Sequence, residues 1–197
     1  MTRLRLAILI SGRGSNMEAI LNAAQASDYP ADPQLVISNR PEAKGLDLAA
    51  SFGVPTASVD HVSYGKDRKA FEREMSHKLN SAGIEIIALA GFMRVLTPWF
   101  VQQWTGRMIN IHPSLLPKYP GLNTHQRAID AGDTEAGCSV HWVTEGVDEG
   151  DVIEQARVPI KAGDTADALA ARVLPEEHAL YPRALASACR KIMRRSD

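Results

Sequence analysis

Residues 4–23 read LRLAILISGRGSNMEAILNA, and this stretch decides the fold class. Leu4 to Ile10 form an almost continuous aliphatic run, which is typical of a strand buried on both faces of a sheet. Apolar residues then recur at i, i+3, i+4 and i+7, and they predict a helix with one buried stripe made of Met17, Ile20, Leu21 and Ala24. Ser15 and Glu18 have the spacing of a capping box, so we expect this helix to begin at Ser15.

The alternation of strand and helix continues along the chain. We predict further strands at residues 34–38, 54–59, 84–89 and 107–111, and helices at residues 43–52, 66–82 and 97–104. Such alternation implies right-handed crossovers between parallel strands. The fold class is therefore α/β, with a Rossmann-like, mostly parallel sheet that has helices on both faces.

The last third of the chain has a different pattern. Two strand-like runs, at residues 139–144 and 152–160, flank the acidic loop 145–151 and predict a C-terminal antiparallel ribbon. A final helix is expected from Asp164 and Thr165 to about Met193. No linker, repeat or low-complexity segment divides the sequence, so we expect one domain over residues 1–197.

The composition indicates a globular protein without a strong overall charge. The 22 Lys and Arg against 23 Asp and Glu leave a net charge of -1, which argues against nucleic-acid binding. The longest apolar stretch, residues 86–93, is too short to span a membrane, and the run before Gly12 is shorter than the core of a secretory signal. Two cysteines, Cys138 and Cys189, favour a reducing compartment over a disulfide framework or a zinc site. We therefore expect a cytoplasmic protein without a metal.

The glycine turn at residues 12–16 can direct backbone N–H groups toward an anion at the start of a helix. Met17 stands where a dinucleotide fingerprint needs its third glycine, and no Gly-Lys-Ser/Thr follows, so neither a dinucleotide site nor a P-loop is predicted. Two interpretations remain open at this point: a site for a single phosphate group, or a turn that is only structural.

Residues 109–117, INIHPSLLP, are the most informative segment. Asn110 and His112 lie two apart on a strand, so their side chains should project from the same face at the carboxyl edge of the sheet. An amide beside an imidazole can stabilise a developing oxyanion and relay a proton. A carboxylate near the histidine would hold it charged, and the acidic loop offers four candidates, Glu145, Asp148, Glu149 and Asp151. The alternative is that both residues only satisfy hydrogen bonds of neighbouring loops.

Five long segments give these local patterns a common explanation. They read ISGRGSN at residues 10–16, ALAGFMRVLTP at 88–98, INIHPSLLPKYPGLNTH at 109–125, SVHWVTEGVDEGDVI at 139–153 and EEHALYP at 176–182. In this order they closely resemble the folate-dependent formyltransferases, above all the branch that acts on glycinamide ribonucleotide. The resemblance implies transfer of a formyl group from 10-formyltetrahydrofolate to the amine of that ribonucleotide in purine synthesis, without a metal.

The resemblance also implies roles for individual residues. The catalytic trio would be Asn110, His112 and Asp148. Phosphate and ribose would be bound by Gly14, Ser15, Asn16, Arg68 and Glu177. Folate would be bound by Met93, Arg94, Val95 and Asn110, and by the closing loop Thr144, Glu145, Gly146, Val147 and Asp148. Residues 1–105 would then form the phosphate- and ribonucleotide-binding half, and residues 106–197 the catalytic and folate-loop half.

In the expected mechanism, Asn110 and a protonated His112 stabilise the oxyanion, while Asp148 keeps His112 charged and helps to move the proton.

Two departures from the family pattern concern loops. Asn123 stands where some members have a histidine, and Glu149 replaces a glycine, which could restrict the backbone there. His141 could face the site, but a hydrogen-bonded core role is the preferred interpretation.

Other members of the family provide alternatives. Transfer-RNA and sugar-nucleotide formyltransferases, and the formyl-folate hydrolase, normally carry further domains that we do not expect in this chain. Outside the family's chemistry there are two alternatives, a catalytically silent folate- or nucleotide-binding module and a metal-dependent hydrolase. Retention of the trio argues against the first, and the lack of a set of metal ligands argues against the second. Either a monomer or a homodimer is compatible with the sequence.

Overall fold

The alternation of strands and helices extends over residues 3–196, the part of the chain that this computed structural model describes. The strands are β1 Leu4–Ile10, β2 Ala31–Ser38, β3 Thr56–Ser58, β4 Ile86–Leu89, β5 Met108–His112, β6 Glu135–Trp142 and β7 Val152–Pro159. The helices are α1 Ser15–Ala23, α2 Lys44–Ser51, α3 Arg68–Ser81, α4 Pro98–Gln103, α5 Thr124–Asp130 and α6 Ala166–Ser196, with a short 3-10 helix at His61–Tyr64.

The strands form one seven-stranded sheet in the order β3-β2-β1-β4-β5-β6-β7. The pairings among β1 to β5 are parallel. β6 runs antiparallel to both β5 and β7. The predicted parallel sheet with a C-terminal antiparallel ribbon is therefore confirmed. Because the strand order reverses between β1 and β4, a crevice forms at their carboxyl ends, where open α/β sheets bind their ligands.

Alternate residues of β1 supply two separate hydrophobic clusters, one on each face of the sheet. Leu6, Ile8 and Ile10 pack with buried residues of α1 and α6. Ala7 and Leu9 pack on the other face with buried residues of α3 and α4. Both faces are covered, which confirms the prediction of helices on both sides and explains why β1 is aliphatic at nearly every position.

Three local features differ from the prediction. Helix α1 begins at Ser15 as predicted, but the expected capping box is not formed, because Gly14 takes the cap position with φ 79° and no side chain caps the helix. β2 begins at Ala31 and continues through Asp32 and Pro33, a pair that resembles a turn in the sequence. Helix α5 was not predicted, because it has only seven residues and follows a segment rich in proline and glycine.

Helix α6 is the longest element, with 31 residues and with Pro175 and Pro182 inside it. Its buried residues, among them Leu169, Val173 and Leu185, form a stripe against the sheet. Across residues 3–196, no helix combines the length and the apolar character that crossing a membrane requires.

Candidate active site

Strand β5 presents the polar pair at the carboxyl edge of the sheet, as predicted. Ile109 and Ile111 are buried in the core cluster, while Asn110 and His112 point to the opposite face. The antiparallel partner strand β6 places His141 directly beside Asn110. Three polar side chains of two neighbouring strands therefore converge at one point.

Asp148 completes this cluster from the loop between β6 and β7. Its Oδ2 atom lies 3.2 Å from Nδ1 of His112, which is only 5% exposed. The same Oδ2 accepts a hydrogen bond from the backbone N–H of Gly121 at 2.9 Å. On the other side of the imidazole, Nε2 of His112 lies 2.9 Å from the carbonyl oxygen of Tyr119. Of the four acidic candidates in the loop, the structure brings Asp148 to the histidine.

Both residues that contact the imidazole have an uncommon backbone conformation. Asp148 and Tyr119 each have φ 56°, in the left-handed region that non-glycine residues rarely adopt. Such conformations persist only where surrounding contacts stabilise them, and they are frequent at functional sites. Glu149 does not have a positive φ, so the expected restriction at that position is wrong: the left-handed residue of the loop is the catalytic candidate itself.

The electrostatics of the cluster differ from the expectation of a charged histidine. Burial lowers the pKa of His112, and it outweighs the carbonyl of Tyr119 and the charge of Asp148, which both act to raise this pKa. For Asp148, burial acts to raise the pKa, but hydrogen bonds from His141 and Gly121 and the nearby imidazoles make the net shift downward. The result is an ionised carboxylate beside an imidazole whose protonation is disfavoured by burial.

However, both nitrogens of His112 face oxygen acceptors. A neutral imidazole carries one N–H and can serve only one of the two, Tyr119 or Asp148. Protonation would satisfy both acceptors at once. The site is thus arranged so that His112 can take up a proton at little cost in geometry, although burial opposes the charge.

His141 is buried and hydrogen-bonded, in line with its preferred interpretation, and its partners include residues of the cluster. Its Nδ1 atom lies 3.0 Å from the carbonyl oxygen of Trp142, and its Nε2 atom lies 3.2 Å from the amide nitrogen of Asn110 and 3.5 Å from Oδ1 of Asp148. The same amide nitrogen donates to Oδ1 of Asp148 at 3.4 Å. The alternation of His141 with Val140 and Trp142 was the sequence signal that it could face the site.

The glycine turn lies at the carboxyl end of β1. Gly14 has φ 79°, a conformation that side chains rarely adopt, and a Cβ atom there would lie 2.9 Å from the terminal methyl carbon of Met17, which would have to shift. Gly45, in the first turn of α2, donates its N–H to the carbonyl of Gly12 at 3.0 Å. Gly45 was not predicted as part of this turn. Its only sequence signal is a glycine in the first turn of a helix.

Asn16 and Glu177 come together although 161 positions separate them. The side-chain amide of Asn16 in α1 donates to Oε2 of Glu177 in α6 at 2.6 Å. Glu177 is 9% exposed, and burial raises its pKa, partly opposed by this hydrogen bond. Oδ1 of Asn16 is buried and has no hydrogen-bond partner. The two predicted ribonucleotide contacts are therefore hydrogen-bonded to each other, and Asn16 keeps a buried acceptor without a partner.

The predicted folate rim lies after β4. The side chains of Met93 and Val95 are 69% and 61% exposed, which is unusual for large apolar residues. Arg68, predicted as a phosphate contact, donates through Nη2 to the carbonyl of Val95. The structure therefore places Arg68 against the rim. Arg94 lies over the ring of Phe71, with 5.8 Å between its guanidinium carbon and the ring centre.

The closing loop is attached at both ends. The N–H of Trp142 donates to the carbonyl of Asp151 at 3.0 Å, and Gln102 of α4 donates to Glu145 at 2.8 Å. Val147, between these ends, is 48% exposed. The predicted loop residues, Thr144, Glu145, Gly146, Val147 and Asp148, thus contact α4 through Glu145 and His112 through Asp148.

A buried polar chain behind the rim was not predicted. The hydroxyl of Ser11 donates to Oδ1 of Asn39 at 2.5 Å and accepts from the N–H of Met93 at 2.8 Å. Nδ1 of His61 lies 2.8 Å from the backbone carbonyl of Asn39. These contacts join residues far apart in sequence, so only the polar character of strand ends could have pointed to them.

Comparisons with known proteins agree with the geometry of the site. The sequence matches the formyl transferase family over residues 4–185. It is 45% identical over 91% of its length to the phosphoribosylglycinamide formyltransferase of Escherichia coli (strain K12), of which it covers 84%. It is 48% identical over 93% of its length to the trifunctional purine biosynthetic protein adenosine-3 of Drosophila melanogaster, of which it spans only 14%.

A solved structure agrees in three dimensions. The phosphoribosylglycinamide formyltransferase of Brucella melitensis superposes with a TM-score of 0.91 at 49% identity, covering 95% of this chain and 96% of that one. The family match spans most of the sequence, and both relatives and structure exceed 40% identity. The chain belongs to the formyl transferase family.

Proposed function

We propose that this protein transfers the formyl group of 10-formyltetrahydrofolate to the amine of glycinamide ribonucleotide, a step of purine biosynthesis. The observation that carries the proposal is the buried cluster of Asn110, His112 and Asp148 at the carboxyl edge of the sheet. The names of the related proteins support the same reaction. In this proposal residues 1–105 supply the phosphate turn and residues 106–197 the catalytic cluster. The division is not strict, because the folate rim at residues 93–95 lies in the first half and the ribose-binding Glu177 lies in the second half.

The ribonucleotide end is assigned to the glycine turn and to Glu177. Gly14 is the cap residue of α1, and Ser15 and Asn16 are its first two residues, where backbone N–H groups favour a phosphate. The buried carboxylate of Glu177 can accept hydrogen bonds from two ribose hydroxyls. The unpartnered Oδ1 of Asn16, whose amide group is bonded to Glu177, is a further acceptor and supports a hydroxylated ligand.

The folate end is assigned to the rim and the closing loop. Met93 and Val95 offer exposed side chains, Arg94 is partly exposed, and the loop from Thr144 to Asp148 contacts α4, which follows the rim. The position of Arg68 against Val95 makes it a boundary residue between the two substrates.

In the proposed mechanism the substrate amine attacks the formyl carbon directly. His112, with Nδ1 held by Asp148, offers Nε2 to the developing oxyanion in place of the carbonyl of Tyr119. Asn110 turns one of its amide hydrogens from His141 or Asp148 to the same oxygen. Asp148 stabilises the imidazolium as it forms and assists transfer of the proton from the amine to the leaving nitrogen. The oxygen charge is met by protein groups, so the proposal includes no metal.

The cytoplasm is the proposed compartment, and small molecules are the proposed partners. The sequence and the structure are compatible with a monomer or a homodimer.

A spectrophotometric assay of the purified protein tests the proposal. Release of tetrahydrofolate from 10-formyltetrahydrofolate is followed with and without glycinamide ribonucleotide. We expect release only with the ribonucleotide. Release that does not need the ribonucleotide would indicate a hydrolase, and binding of both ligands without release would indicate a silent binding module; either result contradicts the proposal.

A further inference from the structure

Glu72 is a buried carboxylate that the proposed reaction does not use. It lies in α3, on the face of the sheet opposite to α1 and α6, and is 1% exposed. Burying a carboxylate is costly unless hydrogen bonds replace its hydration. Its hydrogen bonds therefore identify what this residue contributes to the fold.

Both oxygens of Glu72 accept hydrogen bonds from Thr97. The backbone N–H of Thr97 donates to Oε1 at 2.7 Å, and the hydroxyl of Thr97 donates to Oε2. Thr97 is the cap residue of α4, and its own side chain makes no capping hydrogen bond. Glu72 therefore fixes the point at which the rim segment, residues 93–97, ends and α4 begins.

The same segment is held at two more backbone groups. One turn before Glu72, Arg68 donates to the carbonyl of Val95, and the hydroxyl of Ser11 accepts from the N–H of Met93. The backbone is thus fixed at three alternate residues, while the side chains of Met93 and Val95 remain mostly exposed. A fixed backbone with available apolar side chains is the arrangement expected of a preorganised binding surface.

Helix α4 extends this influence to the closing loop. Its residue Gln102 donates to Glu145 at 2.8 Å, so the start of α4 at Thr97 also sets the position of a contact to that loop. Glu72 is in this way linked to both walls of the folate end through Thr97.

We propose that Glu72 is a positioning residue for the folate co-substrate, which holds the rim segment 93–97 and the start of α4 in the conformation that binds folate. This inference rests on the proposed function. Glu72 does not contact the reacting atoms, so its loss weakens folate binding and leaves ribonucleotide binding and the chemical step nearly unchanged.

The test compares Glu72→Ala with two controls. Glu72→Gln keeps an acceptor for the N–H of Thr97 and a group that can bond its hydroxyl, so it should give a clearly smaller rise in the folate constants than Glu72→Ala. Leu79→Ala removes a fully buried side chain from the same helix, away from the rim, and controls for a general loss of stability. The measured quantities are KM for each substrate, kcat, and equilibrium binding of tetrahydrofolate followed by tryptophan fluorescence.

For Glu72→Ala we expect KM for 10-formyltetrahydrofolate and Kd for tetrahydrofolate to rise about tenfold or more, as for loss of hydrogen bonds to a charged group. KM for the ribonucleotide and kcat should stay within about threefold of wild type. The reason is that the contacts to the attacking amine and to the oxyanion are not changed. If Glu72→Ala does not fold, Thr97→Val replaces it and should give a smaller rise in the same two constants.

Three results would overturn the inference. The first is an unchanged folate KM in Glu72→Ala, the second an equal rise for both substrates, and the third an equal rise in Leu79→Ala. Each of these is read against a wild-type protein that transfers the formyl group. A wild type that neither transfers nor binds folate would overturn the proposed function instead.

Discussion

The two ends of the site are built in different ways. At the ribonucleotide end, Asn16 and Glu177 extend from helices α1 and α6, and one hydrogen bond joins the helices directly. At the catalytic end, His112 extends from a strand, but its partners Asp148 and Tyr119 belong to loops with positive φ. Helices thus carry the residues proposed to bind the ribonucleotide, whereas loop residues with positive φ contact the imidazole that is proposed to react. Changes at the first end should mainly affect binding, and changes at the second end mainly turnover.

The largest effect is expected at the catalytic end. Asn110→Ala and His112→Ala each remove one group that meets the oxyanion, which typically costs roughly 2.7–4 kcal/mol of barrier, or about two to three orders of magnitude in kcat. Both KM values should change much less. Steady-state kinetics measure this split. Asn80→Ala, at an exposed position of α3, is the control for the asparagine variant. Near-normal turnover in either variant would contradict its role.

At the ribonucleotide end, Glu177→Gln should raise KM. A neutral amide is a weaker acceptor for ribose hydroxyls, and loss of a charged hydrogen bond costs about 1.5–3 kcal/mol, equivalent to roughly tenfold to hundredfold in affinity. We expect KM for glycinamide ribonucleotide to rise while kcat changes little. Glu176→Gln, at the exposed neighbouring position, is the matched control. A fall in kcat without a rise in KM would remove the distinction between the two ends.

Gly14→Ala tests how rigid the ribonucleotide end is. The new methyl group would meet Met17 and force a left-handed backbone on alanine, so we expect a loss of about 1–3 kcal/mol in the free energy of unfolding. Denaturant titration measures it. Gly12→Ala is the control in the same turn, because a Cβ atom there has no neighbour within 4 Å. Equal losses in the two variants would show that Gly14 is not specially constrained.

The catalytic end should also determine part of the pH dependence of stability. Burial keeps the folded-state pKa of His112 below its ordinary value of 6.5, so this group stabilises the fold above that pH and the contribution is lost as the pH falls. The pKa of Asp148 is also lowered, and its contribution is lost only below its ordinary value of 3.8. Burial, and to a smaller extent the charge of His112, lower the pKa of His125. His125 therefore adds to the loss of stability as the pH falls.

We therefore expect the free energy of unfolding to fall between about pH 7 and about pH 5, and His112→Asn to make this dependence flatter. Denaturant titrations at several pH values measure the slope. His77→Asn changes an exposed histidine of α3 and should leave the slope as in the wild type. A steeper slope for His112→Asn would mean that the buried imidazole is stabilised in its charged form.

The smallest effect is expected for Glu149→Gly. Since Glu149 does not occupy a positive φ, restoring the glycine of the family pattern brings no relief of strain and only adds freedom to the unfolded chain. The free energy of unfolding should fall by less than about 1 kcal/mol, and kcat should change by less than about twofold. A large gain in the free energy of unfolding or in kcat would mean that the backbone of the loop is constrained at position 149 and not at Asp148.

Local patterns allowed much of the fold to be predicted. β1 was placed at its observed bounds, because a strand buried on both faces is recognisable from its own residues. The pair on β5 was recognised for a similar reason, since residues two apart share one face of a strand. Five family segments then assigned roles to residues that no local pattern distinguishes, among them Asp148 and Glu177.

The rest depends on contacts between distant parts of the chain. His141 reaches Asn110 across 31 positions, and Glu72 reaches Thr97 across 25. Neither pairing has a local sequence signal. The charge state of His112 was expected from the presence of a carboxylate alone, whereas the observed burial opposes it. Arg68 was assigned to phosphate from sequence, but its hydrogen bond is to the rim.

The most direct test of the central claim follows the formyl carbon itself. 10-Formyltetrahydrofolate labelled with carbon-13 in the formyl group is mixed with glycinamide ribonucleotide and excess enzyme, and the label is observed by NMR. We predict that the label moves to the amine of the ribonucleotide in the wild type and stays on folate over the same time with His112→Ala. Label appearing as formate, or moving equally fast in the variant, would contradict the assignment of formyl transfer to this cluster.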